Sequence, residues 1–216
     1  MILPAVATVF ALVGLTKAVT PSLSSPAELS LDEMPSVKFH VTIKRKTMKF
    51  HEQSEFDIYA TPVVSPSGAS ALYNSYATFH DGDTEFTYTL VNRSGYLTTT
   101  DALGDETIQC LPPDVMPFDE ILPALNNATP ITSASIGGKP IACESGNLFK
   151  TIFVGTQYTI CVSNGTGFTA FSSDLDIAVE YLEGTITVLE PELTDKSASC
   201  AIVQKATYGT RSGYWV

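Results

Sequence analysis

Apolar and polar side chains alternate from Val37 onward. Val37, Phe39, Val41 and Ile43 are interleaved with Lys38, His40, Thr42 and Lys44. Period-two alternation over eight residues predicts a strand with one face buried and one in water. The pattern recurs along the chain. Phe56, Ile58 and Ala60 alternate with Asp57 and Tyr59, until Thr61-Pro62 ends the strand. Ala71, Tyr73, Ala77 and Phe79 share a face of the next expected strand, and Phe86, Tyr88 and Leu90 a face of the one after. Tyr96 to Thr100, rich in β-branched residues, makes a short fifth. SPSG at 65–68, HDGD at 80–83 and NRSG at 92–95 read as the turns between them. Strands linked by short turns predict an antiparallel meander with one wet and one covered face.

The middle of the chain breaks the alternation. Residues 111–130, LPPDVMPFDEILPALNNATP, contain five prolines. One or two helical turns fit Phe118 to Leu125, with Pro117 at the start and Pro123 limiting the length. The segment reads as a cover whose Val115, Met116, Phe118, Ile121, Leu122 and Leu125 need burial, and the open face of the first sheet offers it. Strand patterns resume at 136–143, where Gly137-Gly138 and Pro140 signal a bulge or an edge. Further strands are expected at 149–154, 158–162, 168–171, 177–182, 186–189 and 201–204, with NGTG at 164–167 as a hairpin loop. The expected fold is all-β: a curved antiparallel sheet or half-open barrel with a short helical or loop cover, stapled by disulfides.

Residues 1–20 read as a secretory leader. Ile2 to Leu15 is almost wholly apolar and uncharged, too short to span a bilayer comfortably, and small residues precede exits after Ala18 or Thr20. Residues 21–35, rich in Ser and Pro, read as a flexible lead-in, and 36–216 as a single secreted domain. No later segment is apolar for long enough to predict a membrane span. With 12 Lys and Arg against 23 Asp and Glu the net charge is −11, which disfavours nucleic acid as a partner. The one basic run, Lys44, Arg45, Lys46 and Lys49, reads as a solvated strand end.

Export changes the meaning of the four cysteines. Cys110, Cys143, Cys161 and Cys200 are expected to form two bridges, without the spacing of a zinc site. Of three connectivities, Cys143–Cys161 with Cys110–Cys200 is favoured, because the first pair flanks an expected hairpin. Asn92, Asn127 and Asn164 each open an Asn-x-Ser/Thr triplet in a polar, turn-like stretch and are expected glycan acceptors.

Motifs for catalysis are missing. There is no Gly-x-Ser-x-Gly elbow, P-loop, EF-hand loop or dinucleotide fingerprint. His40 faces solvent, His51 lies in a polar stretch and His80 adjoins a turn. Asp174 with Asp176, and Asp81 with Asp83, are carboxylate pairs of the kind that bind calcium, although turn and strand-end carboxylates are the plainer reading in an acidic chain. No cofactor is expected. The aromatic residues remain. Phe56, Tyr73, Phe79, Phe86, Tyr88, Phe118 and Phe168 either fill a core or line a space between sheet and cover, where an apolar small molecule would sit.

The stretches PFDEILPALNNATPITSASIGGKPIACESGNLFKT (117–151) and YTICVSNGTGFTAFSSDLDIAVEYL (158–182) resemble a family of secreted oomycete proteins of unassigned function. The likeness runs mainly over 37–182. Some members of that family carry a second domain resembling an α/β-hydrolase; the similar region does not include it, and no hydrolase activity is implied. In the order of its elements the chain is also remotely similar to ependymin-related proteins and LolA-type lipoprotein carriers, which hold a hydrophobic ligand in a half-open barrel. That likeness implies a secreted, non-catalytic binder of a lipid or sterol. The alternative is an extracellular protein- or glycan-interaction module, effector-like or wall-associated, with a filled core.

Overall fold

A computed structural model describes residues 34–65, 70–112, 120–163, 165–194, 200–204 and 207–208. Residues 1–20, the expected leader, and Phe118 lie outside these residues. The elements are β1 (Ser36–Ile43), β2 (Glu55–Val64), β3 (Ser70–Asp81), β4 (Thr84–Val91), β5 (Ser94–Thr100), β6 (Glu106–Cys110), α1 (Ile121–Asn126), β7 (Thr129–Ile131), β8 (Ser135–Ile136), β9 (Lys139–Pro140), β10 (Leu148–Phe153), β11 (Thr156–Ser163), β12 (Gly167–Phe171), β13 (Leu175–Leu182) and β14 (Thr207–Tyr208).

Twelve of these strands form one antiparallel sheet that does not close into a barrel. Its order is β6-β5-β4-β3-β2-β1-β13-β12-β11-β10-β7, with β14 added to β3. Two meanders, β1–β6 and β10–β13, are therefore sewn together by the pairing of β1 with β13. Ser36 stands opposite Leu182, and Ile43 opposite Leu175. Cross-strand partners share a face, so the registers extend one apolar surface across the sheet. It runs from Phe149 through Ile160, Ala170, Ile177, Val41 and Phe56 to the β3–β4 pairs. We call this the inner face. Tyr73 of β3 and Tyr181 of β13 lie three strand spacings apart, about 14 Å in a flat sheet. Both nonetheless pack against one core cluster, as a sheet curled toward this face allows.

The core cluster sits on the inner face, with Val37, Ala60, Tyr158, Ile160, Phe168, Ala170 and Val179 buried. The short helix covers the β10 end. Leu125 packs on the core cluster, and the Thr151 hydroxyl donates to the Ala124 carbonyl.

Several expected elements differ. Residues 186–189 are not a strand. After β13 the chain crosses the outer face of the first meander as a strap. The Ile186 N–H donates to Ser36 Oγ (3.3 Å), Glu190 meets β5, and the Ile108 N–H of the edge strand β6 donates to Thr194 Oγ1 (3.2 Å). Residues 201–204 make only a bridge, Ser94 to Ile202. The expected strand at 136–143 is the two-residue hairpin β8–β9, outside the main sheet. Strands β6 and β7 are additions to the expected set.

Both favoured disulfides are present. Cys110–Cys200 joins β6 to the strap, with Cα atoms 5.3 Å apart. Cys143–Cys161 clamps the entry to β10 onto β11, with Cα atoms 5.6 Å apart.

Candidate functional site

Six of the seven aromatic residues expected at a ligand site lie on the inner face, but in two groups. Phe56, Phe79, Phe86 and Tyr88 form the first, at the β2–β4 end. Phe79 pairs with Phe86, Ala77 with Tyr88, and Val41 with Phe56. Ring centroids of Phe56 and Phe79 are 4.9 Å apart, and those of Phe79 and Tyr88 5.6 Å.

The connection between β1 and β2 folds over this floor. Phe50 and Gln53 exchange backbone hydrogen bonds (3.0 and 2.9 Å) around a two-residue turn. His51 and Glu52 in that turn both have positive φ, 47° and 60°, the geometry of a tight type I′ hairpin. The turn lays two rings on the floor. Phe50 lies 4.6 Å from Phe79 and 5.3 Å from Tyr88, and His51 stacks on Phe86 at 4.2 Å. His51 Nε2 and the Tyr88 hydroxyl are hydrogen-bonded at 2.9 Å. Read from its neighbours, His51 belongs to a polar stretch; in the fold it is half-buried against aromatic rings. The flanking Phe50 is the one signal in the sequence that could have shown this.

Tyr73 and Phe168 belong to the second group, in and against the main core cluster with Tyr158 and Tyr181. Phe39, Ile58, Leu97 and Ile177 also face inward and are only half-buried, with Leu97 opposite Tyr88 and with Phe39 and Ile177 against the core cluster. Ser75 Oγ, fully buried between Ala60 and Leu90, has no hydrogen-bond partner among the described residues.

The tyrosines record this burial. Desolvation, with the Tyr181 phenol opposite, holds the Tyr73 hydroxyl far above the usual range. Burial pushes Tyr181 up to about 12, and raises Tyr158 and Tyr88. Tyr96, on the outer face, is pushed up to about 12 by burial and by its hydrogen bond to Glu190. A raised folded-state pKa contributes stability below pH 10 that is lost as the pH climbs toward about 12. Absorbance titration near 295 nm should therefore show a late class of phenols that ionises together with alkaline unfolding. In 8 M urea that class should merge with the ordinary one; a single transition near pH 10 in the folded protein would refute it.

The outer face carries the charge. Asp57 bridges Lys38 Nζ (3.1 Å) and His40 Nδ1 (2.7 Å). Burial alone would raise its carboxyl, but these hydrogen bonds and the Lys38 and His40 charges outweigh it and hold it below the usual carboxylate range. His80 meets Glu85 at 3.1 Å. Asp174 and Asp176, weighed as calcium ligands, instead neutralise the basic run. Arg45 grips Asp174 through two nitrogens, and Lys44 Nζ lies 2.6 Å from Asp176. Among the described residues no group of three His, Cys, Asp or Glu side chains could hold a metal ion.

Of the glycan acceptors, Asn92 is exposed in the β4–β5 turn, where it and Arg93 have φ of 51° and 72°. Its Nδ2 donates to Glu190 Oε2 (2.7 Å). Asn127 is exposed at the end of α1. Asn164 lies outside the described residues.

No protein-family model matches the chain, and no curated protein matches it.

Proposed function

We propose that this is a secreted, non-catalytic protein that carries an apolar ligand, a lipid or sterol, against the inner face of its open sheet. One observation carries the reading. The inner face offers more apolar surface than its described covers bury, with Phe39, Phe56, Ile58, Phe86, Leu97 and Ile177 all only partly buried. A ligand removing about 300 Å² of apolar area from water would gain about 7 kcal/mol, before the cost of its own immobilisation. The Phe50–His51 turn serves as a flap over one end. The Tyr88–His51 pair is a group on this face that would orient a ligand's single polar end.

Export is supported by the expected leader and by two disulfides, which persist in oxidising compartments. No helix among the described residues is long and apolar enough to cross a membrane. The remote likeness to ependymin-related and LolA-type half-barrels points the same way.

Native mass spectrometry of protein secreted from eukaryotic cells tests the reading. The expected result is a discrete added mass of lipid size that organic extraction removes, with one equivalent of dehydroergosterol or cis-parinaric acid rebinding afterwards. A bare mass in repeated preparations, and no saturable binding of either probe, would count against it. The second reading, an interaction module with a filled core, is favoured by one feature: Phe50 and His51 already occupy the first aromatic group. It predicts that bare mass.

A further inference from the structure

The β10–β11 hairpin turns on Val154-Gly155, with φ of 47° and 72°, between the last pair Phe153 and Thr156. Such two-residue turns favour Asn-Gly or Asp-Gly, because the first residue must be left-handed. A β-branched side chain is strongly disfavoured there. Val154 gains little packing in return, since it is 57% exposed. Ile152, on the outer side of the same hairpin, is 67% exposed. The tip thus combines backbone strain with two bare aliphatic side chains. Backbone strain of this kind is a pointer to a role outside the fold's own stability.

Charge says what the tip can meet. The chain carries 23 acidic residues, yet none between Glu144 and Asp174, where the only charged side chain is Lys150. The hairpin region thus offers a lipid surface no carboxylate to repel its phosphates, in a molecule of net charge −11. Lys150 is exposed two residues from Ile152 and points to the same side of the strand. A stable protein interface needs about 800 Å² from each partner, more than two side chains at a turn supply. Shallow insertion into a lipid interface needs only a small apolar tip with a cation beside it.

We propose that the β10–β11 tip is a membrane-contact site. Ile152 and Val154 enter the headgroup–acyl boundary of a phospholipid bilayer, and the Lys150 ammonium lies at the level of the phosphates. Phe153, on the opposite side of the strand, meets Tyr158 edge to face at 6.2 Å and continues into the inner face. The contact does not depend on whether the inner face holds a ligand, and its test needs none.

Flotation with phosphatidylcholine vesicles provides that test, using the full secreted chain. The parent protein should float with the vesicles. Val154→Asp supplies a residue the turn favours, so it should raise the melting temperature by about 2–4 °C while lowering vesicle partitioning about tenfold. Ile152→Thr keeps a β-branched strand residue and should lower partitioning comparably, with the melting temperature unchanged. Leu103→Thr alters an even more exposed leucine, 87% accessible, at the β5–β6 turn and should change neither. The proposal is overturned if the parent stays unbound, if Val154→Asp floats like the parent, or if Leu103→Thr loses as much. A parent dimer that Val154→Asp dissociates, without flotation, would assign the tip to a second copy instead.

Discussion

Serine at both Cys110 and Cys200 should lower the unfolding free energy by about 4–5 kcal/mol, and serine at both Cys143 and Cys161 by about 3 kcal/mol. The difference follows from the loops they close. The first bond spans 90 residues and the second 18, and the entropy removed from the unfolded chain grows with the logarithm of that span. Folded-state structure adds to the contrast. Cys143–Cys161 reinforces a hairpin already paired from Leu148–Cys161 to Phe153–Thr156. Cys110–Cys200 holds a strap whose supports are scattered contacts rather than a continuous ladder. Among the described residues these include the Ile186–Ser36 and Thr194–Ile108 hydrogen bonds, the Glu190 contacts with Tyr96 and Asn92, the Ser94 hydroxyl donating to the Cys200 carbonyl, and the pairing of 202–204 with the β4–β5 turn. Without the bond those contacts must hold the strap alone, and the edge of β6 opens to other chains. A typical domain has about 5–15 kcal/mol in hand, so the first variant should lie near the limit of folding. Urea titration of both double variants measures the order. Hydrogen exchange should quicken at 106–110 and 186–204 in the first variant only. Equal losses in the two, or a larger loss from the Cys143–Cys161 pair, would show that the strap does not close the fold.

What could be read in advance was local. Val37 to Lys44 announces its strand because period-two alternation is written into eight adjacent residues. The face that Tyr73 shares with Phe79, and the one that Phe86 shares with Tyr88, follow from the same arithmetic, and the Cys143–Cys161 bond from the hairpin it flanks. What could not be read depends on residues far apart in the chain. Nothing near Ser36 announces Leu182 as its partner, although that pairing makes one sheet of two meanders. Arg45 and Lys44 look like a solvated basic run until β13 brings Asp174 and Asp176 beside them. Glu106 to Cys110 is exposed at nearly every position, so an edge strand there leaves no hydrophobic pattern to find. Residues 186–189, Ile-Thr-Val-Leu, have strand composition but lie flat as a strap, because the sheet beside them already has its neighbours on both sides. The division of the aromatic residues into two groups was likewise hidden. It depends on a turn, His51-Glu52, whose left-handed backbone no residue there advertises.

Alanine at Gly167 should cost about 3–5 kcal/mol, at the upper end of single-substitution effects. Gly167 opens β12 with φ of 136°, and a Cβ built there would lie 1.9 Å from the Val179 carbonyl oxygen. That oxygen is backbone, so no rotamer change relieves the overlap; β12 and β13 must part. Their parting is costly because the next pair, Phe168 with Val179, is in the core, and Ala170 follows opposite Ile177. Gly82→Ala is the matched control. Gly82 also has positive φ, 60°, but nothing lies within 4 Å of a Cβ placed there. Only left-handed strain remains, worth about 1 kcal/mol. Urea unfolding of the two variants separates close approach from strain. The tyrosines give a second readout. If β12 lifts from β13, Tyr181 and Tyr158 lose the burial that raises them. The late class in the alkaline titration should then shrink in Gly167→Ala and stay intact in Gly82→Ala. Equal destabilisation of the two would mean that the β12–β13 seam yields freely, and the inner face would not be the rigid floor that a bound apolar molecule requires.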